Sequence, residues 1–264
     1  MKSNLPESLP PEFAEPLARA SSRLGPFAHE LFWYAEVAST NDVASALAER
    51  GVREGCVVVA NAQSAGRGRQ GRSWASPAGA GLYVSTVLRP SRETVRALTI
   101  AAGVAVADGI QAATGLDPAL KWPNDVYAAD RKLAGVLAEA ADTFEYVILG
   151  FGINVMPAAY PPEVAARATS LEEELGRASD RGLLLAECLA ALARRYEDLR
   201  TGRTDAVIEA WRRRAARTLG RRVRWETAGA TVEGVAENID ATGALVVRTS
   251  TGTVTVTAGE VMWL

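Results

Sequence analysis

The chain has 264 residues, of which 48% are hydrophobic and 23% charged, with a formal net charge of −2. That length supplies enough volume for a real core, and the composition is that of a folded globular protein rather than a disordered or fibrous one. Near-neutral charge excludes a global attraction to nucleic acid or anionic lipid. No uninterrupted apolar run approaches the ~18 residues of a membrane span. The opening MKSNLPESLPPEFAEP carries no apolar signal core, so a cytoplasmic protein with no membrane partner is expected. Cys56 and Cys188 lie in apolar surroundings and read as buried free thiols.

In chain order, residues 1–28 are rich in Pro, Glu, Ser and Ala and read as a flexible tail with at most one short helix. A strand is predicted over 31–37, then a helix capped by Ser39, Thr40 or Asn41 and stopped by Gly51. An apolar strand over 56–62 leads into a Gly-, Ser- and Pro-rich loop, 63–81. A strand over 82–88 and a long apolar helix over 95–113, ending at Gly115, follow. Two extended segments, 119–123 and 132–141, flank a turn at Ala129–Asp130, and a further strand over 144–155 carries Gly150 and Gly152 near its end. Ser170 with Glu173 has the pattern of a capping box. Helices over 182–200 and 205–220 come next. After Gly220 the pattern changes to five short alternating segments, the signature of a small β-barrel, so a domain boundary is placed near Leu219.

Of the 29 basic residues only three are lysine: Lys2, Lys121 and Lys132. Where either cation would serve, this chain uses Arg, a planar fork. The two internal lysines, eleven residues apart, are therefore candidates for positions that need a compact point charge. The loop Gly66-Arg67-Gly68-Arg69-Gln70-Gly71-Arg72-Ser73-Trp74 contains G-x-G-x-x-G, but it opens no helix and lacks Gly-Lys-Ser/Thr, which excludes both the dinucleotide and the P-loop readings. Alone it is either a mobile flap gripping phosphate or carboxylate oxygens or a solvated basic loop. Lys121-Trp122-Pro123-Asn124-Asp125, followed by Lys132-Leu133-Ala134-Gly135, is alone either a turn or a site where Asp125 meets nucleotide-bound Mg²⁺. Gly152-Ile153-Asn154 is alone either a strand end or an adenine contact.

Together these segments, with Ser39-Thr40-Asn41, stand in the order and approximate spacing of the biotin protein ligases, and from residue 30 onward the chain resembles that family. The resemblance implies an α+β catalytic domain over 29–219, with a mixed β-sheet flanked by helices as in class II synthetases, and a C-terminal SH3-like β-barrel over 220–264. It implies an enzyme that uses ATP, with Mg²⁺, to convert biotin to biotinyl-AMP and then transfers biotin to a lysine of a biotin carboxyl carrier domain. Biotin would be held by Ser39, Thr40, Asn41, Gln63, Arg67, Gly68, Arg69, Lys132 and Gly135. ATP and the adenylate would be held by Arg69, Arg72, Trp74, Asn124, Asp125, Lys132 and Asn154, with Asp125 near the metal. Lys132, Arg67 and Arg72 would offset charge during catalysis.

The larger members of the family carry an N-terminal winged helix that binds DNA. Only 38 residues precede Ser39 and they are Pro-rich, so no DNA partner is expected. The related lipoyl and octanoyl transferases include enzymes with a cysteine nucleophile, and neither Cys56 nor Cys188 is placed for that. Arginines from 212 to 224 leave an RNA-binding module as a further alternative. A monomer or weak homodimer is expected.

Overall fold

The computed structural model describes residues 5–227, 230–257 and 261–264. The tail expectation is revised at once. Pro11–Ala20 forms α1, with proline at the first helical position, where its missing N–H costs no hydrogen bond. Phe13, Leu17 and Ala20, continued by Leu24 and Phe27, repeat every three or four residues and are buried against helix α5 (Arg181–Arg200). Burial of that stripe offsets the entropy of ordering the segment. Gly182 permits the approach, because a Cβ there would strike the Glu12 carbonyl. Arg181 completes the seam by reaching Glu12 at 2.7 Å and Asn61 at 3.1 Å.

The main sheet has the order β1-β2-β3-β7-β6-β5-β4. Its strands are β1 (Leu31–Tyr34), β2 (Val57–Ala60), β3 (Gly81–Leu88), β4 (Ala119–Lys121), β5 (Asp125–Ala128), β6 (Arg131–Ala140) and β7 (Val147–Asn154). β1 and β2 run parallel, joined by a crossover through α2 (Thr40–Glu49); the remaining pairs are antiparallel, so the sheet is mixed. The turn expected at Ala129–Asp130 joins β5 to β6, and both residues have positive φ, 44° and 68°, as a two-residue hairpin requires. Strand periodicity sorts the side chains. Leu149, Phe151 and Ile153 enter the core under the helices, which turns Gly150, Gly152 and Asn154 to the opposite face.

Helix α3 (Arg92–Thr114) covers the core face, capped by the Ser91 hydroxyl accepting from Thr94 N–H and ended by Gly115 at φ 82°. By length and a mean hydropathy of 1.4 it has what a membrane helix needs, contrary to the expectation from run length; 67% of that window is buried inside the molecule, so its apolarity belongs to the core. Asp108 on α3 takes Arg194 and Arg195 from α5 and Arg214 from α6 (Thr204–Arg214). Burial alone would raise its carboxyl; the Arg195 hydrogen bond and the Arg195 and Arg214 charges outweigh this and hold it below the ordinary carboxylate range. At Ser170 the capping expectation is half realised. Its hydroxyl accepts from Glu173 N–H, while the Glu173 carboxylate goes to Arg131 and Tyr160.

The C-terminal unit is a five-stranded antiparallel sheet in the order β11-β10-β9-β8-β12, SH3-like in size. Its strands are β8 (Arg222–Thr227), β9 (Ala230–Ile239), β10 (Leu245–Thr249), β11 (Gly252–Val256) and β12 (Val261–Trp263). Val223, Trp225, Ile239 and Leu245 join the same apolar cluster as the main sheet. The tie runs through the turn after β4: Trp122 is buried, and its indole Nε1 donates to the Gly243 carbonyl at 2.8 Å.

Candidate active site

The face of the sheet away from α3 forms the floor of a cavity of about 680 Å³. Gly135 and Lys132 from β6 and Gly152 and Asn154 from β7 line it. Its walls are the start of α2, the Gly/Arg loop, the turn 122–124 and, from the C-terminal sheet, Val261 and Trp263. The segments singled out in the sequence therefore converge on one cavity.

At one end is a polar recess. Ser39, Thr40 and Asn41 are buried at the start of α2. Thr40 donates its backbone N–H and its hydroxyl to Gln63 Oε1, at 2.8 and 3.1 Å, and Gln63 Nε2 donates to Ser76 Oγ at 2.8 Å. Ser85, fully buried in β3, lies 2.7 Å from Thr40 Oγ1 and donates to Asn41 Oδ1 at 2.5 Å. Ser85 was not anticipated, although a hydroxyl in the middle of LYVSTVL was a signal that this strand faces something polar.

At the centre, Trp74 lies over the paired glycines of β6 and β7. A Cβ on Gly152 would come within 2.6 Å of Trp74 Nε1, and one on Gly135 within 3.2 Å of Trp74 Cζ3. Trp74 Nε1 is buried and has no hydrogen-bond partner among the described residues. Lys132 Nζ sits 5.3 Å from the Trp74 ring centre and 2.6 Å from Asp125 Oδ1. Asn154 donates to Thr169 O at 2.9 Å and to Lys132 O at 3.5 Å, so its amide nitrogen is committed to backbone.

At the turn after β4, Asn124 Nδ2 donates to Val136 O at 2.6 Å while its Oδ1 accepts from Arg69 at 3.3 Å, joining flap to turn. Arg72 and Gly68 also line the cavity. Lys121 Nζ stands 3.4 Å from Tyr127 Oη, 5.1 Å from that ring and 5.5 Å from the Trp263 ring. The position is aromatic on two sides, which suits a compact ammonium. Burial first, then the Asp125 charge, pushes the Tyr127 hydroxyl up to about 12, so it stays neutral at physiological pH while its oxygen accepts from Lys121.

Arg67 lines the cavity and is also tied to its rim. Its terminal nitrogens are held by Asp42 at 2.6 Å and by Glu139 at 2.9 Å, two acids that no sequence spacing pointed to. The cationic side chains that line the cavity beside it are Arg69, Arg72, Lys121, Lys132 and Arg167. For the magnesium expected from the sequence, the cavity offers the carboxylate of Asp125. Among the described residues Asp125 is the one carboxylate that lines the cavity, and no three Asp, Glu, His or Cys converge. One carboxylate plus phosphate oxygens is an ordinary Mg²⁺ environment.

The alternatives lose support. Burial pushes the Cys56 thiol up to about 12 and the Cys188 thiol higher still, so neither is a ready nucleophile. Five of the seven arginines from 212 to 224 are engaged: Arg212 with Asn238, Arg214 with Asp108 and Asp117, Arg217 with Asp130, and Arg222 and Arg224 with Glu233.

Residues 33–154 match the family model described as Biotin/lipoate A/B protein ligase family, and residues 218–262 match the Biotin protein ligase C terminal domain. The chain is 40% identical over 238 residues to the biotin--[acetyl-CoA-carboxylase] ligase of Mycobacterium tuberculosis, covering 87% of each. It is 36% identical over 229 residues to the bifunctional ligase/repressor BirA of Bacillus subtilis, covering 84% of this chain and 70% of that one. Among solved structures, the biotin protein ligase from Aquifex aeolicus in complex with biotin and ATP superposes with a TM-score of 0.78 at 30% identity, covering 89% of this chain and 99% of that one.

Proposed function

Because the chain belongs to the biotin protein ligase family, we infer that it is an ATP-dependent enzyme that activates biotin as biotinyl-AMP and passes the biotinyl group to a lysine of a biotin carboxyl carrier domain. The observation that carries this is the joining in one cavity of a buried hydroxyl–amide recess, a lysine–aspartate pair and an arginine-bearing loop. The recess matches a cyclic urea, which offers both N–H and C=O. Ser39, Thr40, Asn41 and Gln63 would hold that ring, and Ser85 would fix their protons.

In the first step a carboxylate oxygen of biotin attacks the α-phosphorus of Mg-ATP, the bond to the bridging oxygen breaks, and pyrophosphate leaves. Two anions must approach each other, so positioning and charge compensation supply most of the catalysis. Lys132 is assigned to the point between carboxylate and α-phosphate. Asp125 holds its ammonium in place and is the residue that would hold the nucleotide's Mg²⁺. Arg69 and Arg72, with Asn124, are assigned to the phosphates. Asn154 offers its carbonyl oxygen to the adenine amino group, and Trp74 forms the wall between the two substrates. In the second step a neutral acceptor amine attacks the acyl carbon, AMP leaves with the bonding pair, and the amine loses a proton. No enzyme nucleophile is required. Incubation with biotin and Mg-ATP but no acceptor should yield one tightly held biotinyl-AMP per chain. A protein that releases pyrophosphate without retaining the adenylate would overturn the assignment.

A further inference from the structure

Arg67 sits at the root of the flap, yet both of its acidic partners lie outside it. Asp42 is in the first turn of α2 and Glu139 is on β6. The Glu139 oxygen that takes Arg67 also accepts from Asn41 Nδ2 at 2.5 Å. From Asn41 the chain of hydrogen bonds continues through Ser85 and Thr40 to Gln63. Asn41 is fixed in one orientation, because its amide group must donate to Glu139 while its oxygen accepts from Ser85. A Cβ on Gly150 would strike Asn41 Oδ1, so the strand floor also presses it into place. Ring-recognising side chains and flap root are thus members of one network that ends on Glu139.

We propose that Glu139, together with Asp42, is a latch that holds the root of the flap through Arg67 and keeps Asn41 oriented, so that these two acids set how long biotinyl-AMP is retained. This rests on the biotin-activating reading of the same cavity. Glu139 is a positioning residue acting through Arg67 and Asn41. The contacts suit a gate. Arg67, Asp42 and Glu139 side chains are 42%, 51% and 39% exposed, so each ion pair is weakened by water and salt and opens readily within a turnover. Acting together, two carboxylates on one planar guanidinium still define its direction.

The test is release of radiolabelled biotinyl-AMP from the preloaded full chain, followed by rapid filtration at low and high ionic strength. In the parent, added salt should speed release, since the screening length falls from ~10 Å at 0.1 M to ~3 Å at 1 M. Glu139→Gln and Asp42→Asn should each speed release by about three- to fivefold at low salt, and the double variant by about tenfold with little remaining salt dependence. Biotin KM should rise in step while the rate of acyl transfer from the loaded enzyme stays within about twofold, because no reacting group is touched. In an Arg67→Gln background Glu139→Gln should add little. Parent-like release from the double variant overturns the latch, as does a Glu139→Gln effect undiminished without Arg67. If Glu139→Gln misfolds, Asp42→Asn on the exposed helix turn carries the same test. A parent that forms no biotinyl-AMP overturns the functional reading itself, a result distinct from normal adenylate formation with unaltered release.

Discussion

The two glycines under Trp74 make a graded prediction. In Gly152→Ala the new methyl would lie 2.6 and 2.7 Å from Trp74 Nε1 and Cε2; in Gly135→Ala the closest approaches are 3.2 Å to Trp74 Cζ3 and 3.3 Å to Lys132 Cε. Optimal contact is about 3.5–4.0 Å, so the indole must retreat by about 1 Å for Gly152→Ala and by only a few tenths for Gly135→Ala. Neither position has a positive φ, so space and not backbone conformation decides the outcome. Overpacking of that first size costs about 1–3 kcal/mol, which falls on the arrangement that binds substrate and amounts to about five- to 150-fold. Gly135→Ala should cost less than about fivefold. The assay is biotin-dependent ATP–pyrophosphate exchange, read as kcat/KM for each substrate. Trp74 lies outside both apolar clusters, so the melting temperature should fall by less than about 4 °C in either variant. Equal activities, or a Gly135 variant worse than the Gly152 variant, would refute the placement of Trp74 on this floor.

Three other perturbations follow. Lys132→Ala should lower pyrophosphate exchange about 10²-fold and Lys132→Arg should not restore it, since a fork cannot replace a point charge packed between Asp125 and Trp74; near-parent exchange by the Arg variant would remove Lys132 from its assigned role. Trp122→Phe leaves the Gly243 carbonyl without its donor and should cost about 1–3 kcal/mol, seen by calorimetry as a lower melting temperature; an unchanged midpoint would contradict the tie between the two sheets. Asp108 is depressed in the fold, so its contribution is complete above the ordinary carboxylate value of about 3.9 and is lost as pH falls through its lower folded value. Asp108→Asn should therefore cost about 3–5 kcal/mol in urea unfolding at neutral pH and flatten the acid side of the stability curve; equal losses at pH 3 and pH 7 would refute it.

What the sequence made legible was local. The Gly/Arg loop, the turn 122–125 and Lys132 could be read because each packs its chemistry into a few consecutive residues, and the hairpin at Ala129–Asp130 because turn residues mark themselves. What escaped was long-range. Glu139 meets Asn41 across 98 positions and Ser85 meets Asn41 across 44, and neither acid nor serine carries a spacing signal. Trp122 read as part of a nucleotide motif, yet its indole serves the contact with Gly243, 121 residues away. The packing of the N-terminal helix was a missed signal of another kind: one short helix was allowed for, but not its burial. Phe13, Leu17, Ala20, Leu24 and Phe27 repeat at helical spacing, but the surrounding Pro and Glu content dominated the reading.

The central claim is tested most directly by incubating the chain with biotin, Mg-ATP and a purified biotin carboxyl carrier domain, and analysing that domain by intact-mass and peptide mass spectrometry. The account predicts the gain of one biotinyl group on a single lysine of the carrier domain, dependent on ATP and abolished in Lys132→Ala. Absence of any gain, or a gain that proceeds without ATP, would contradict it.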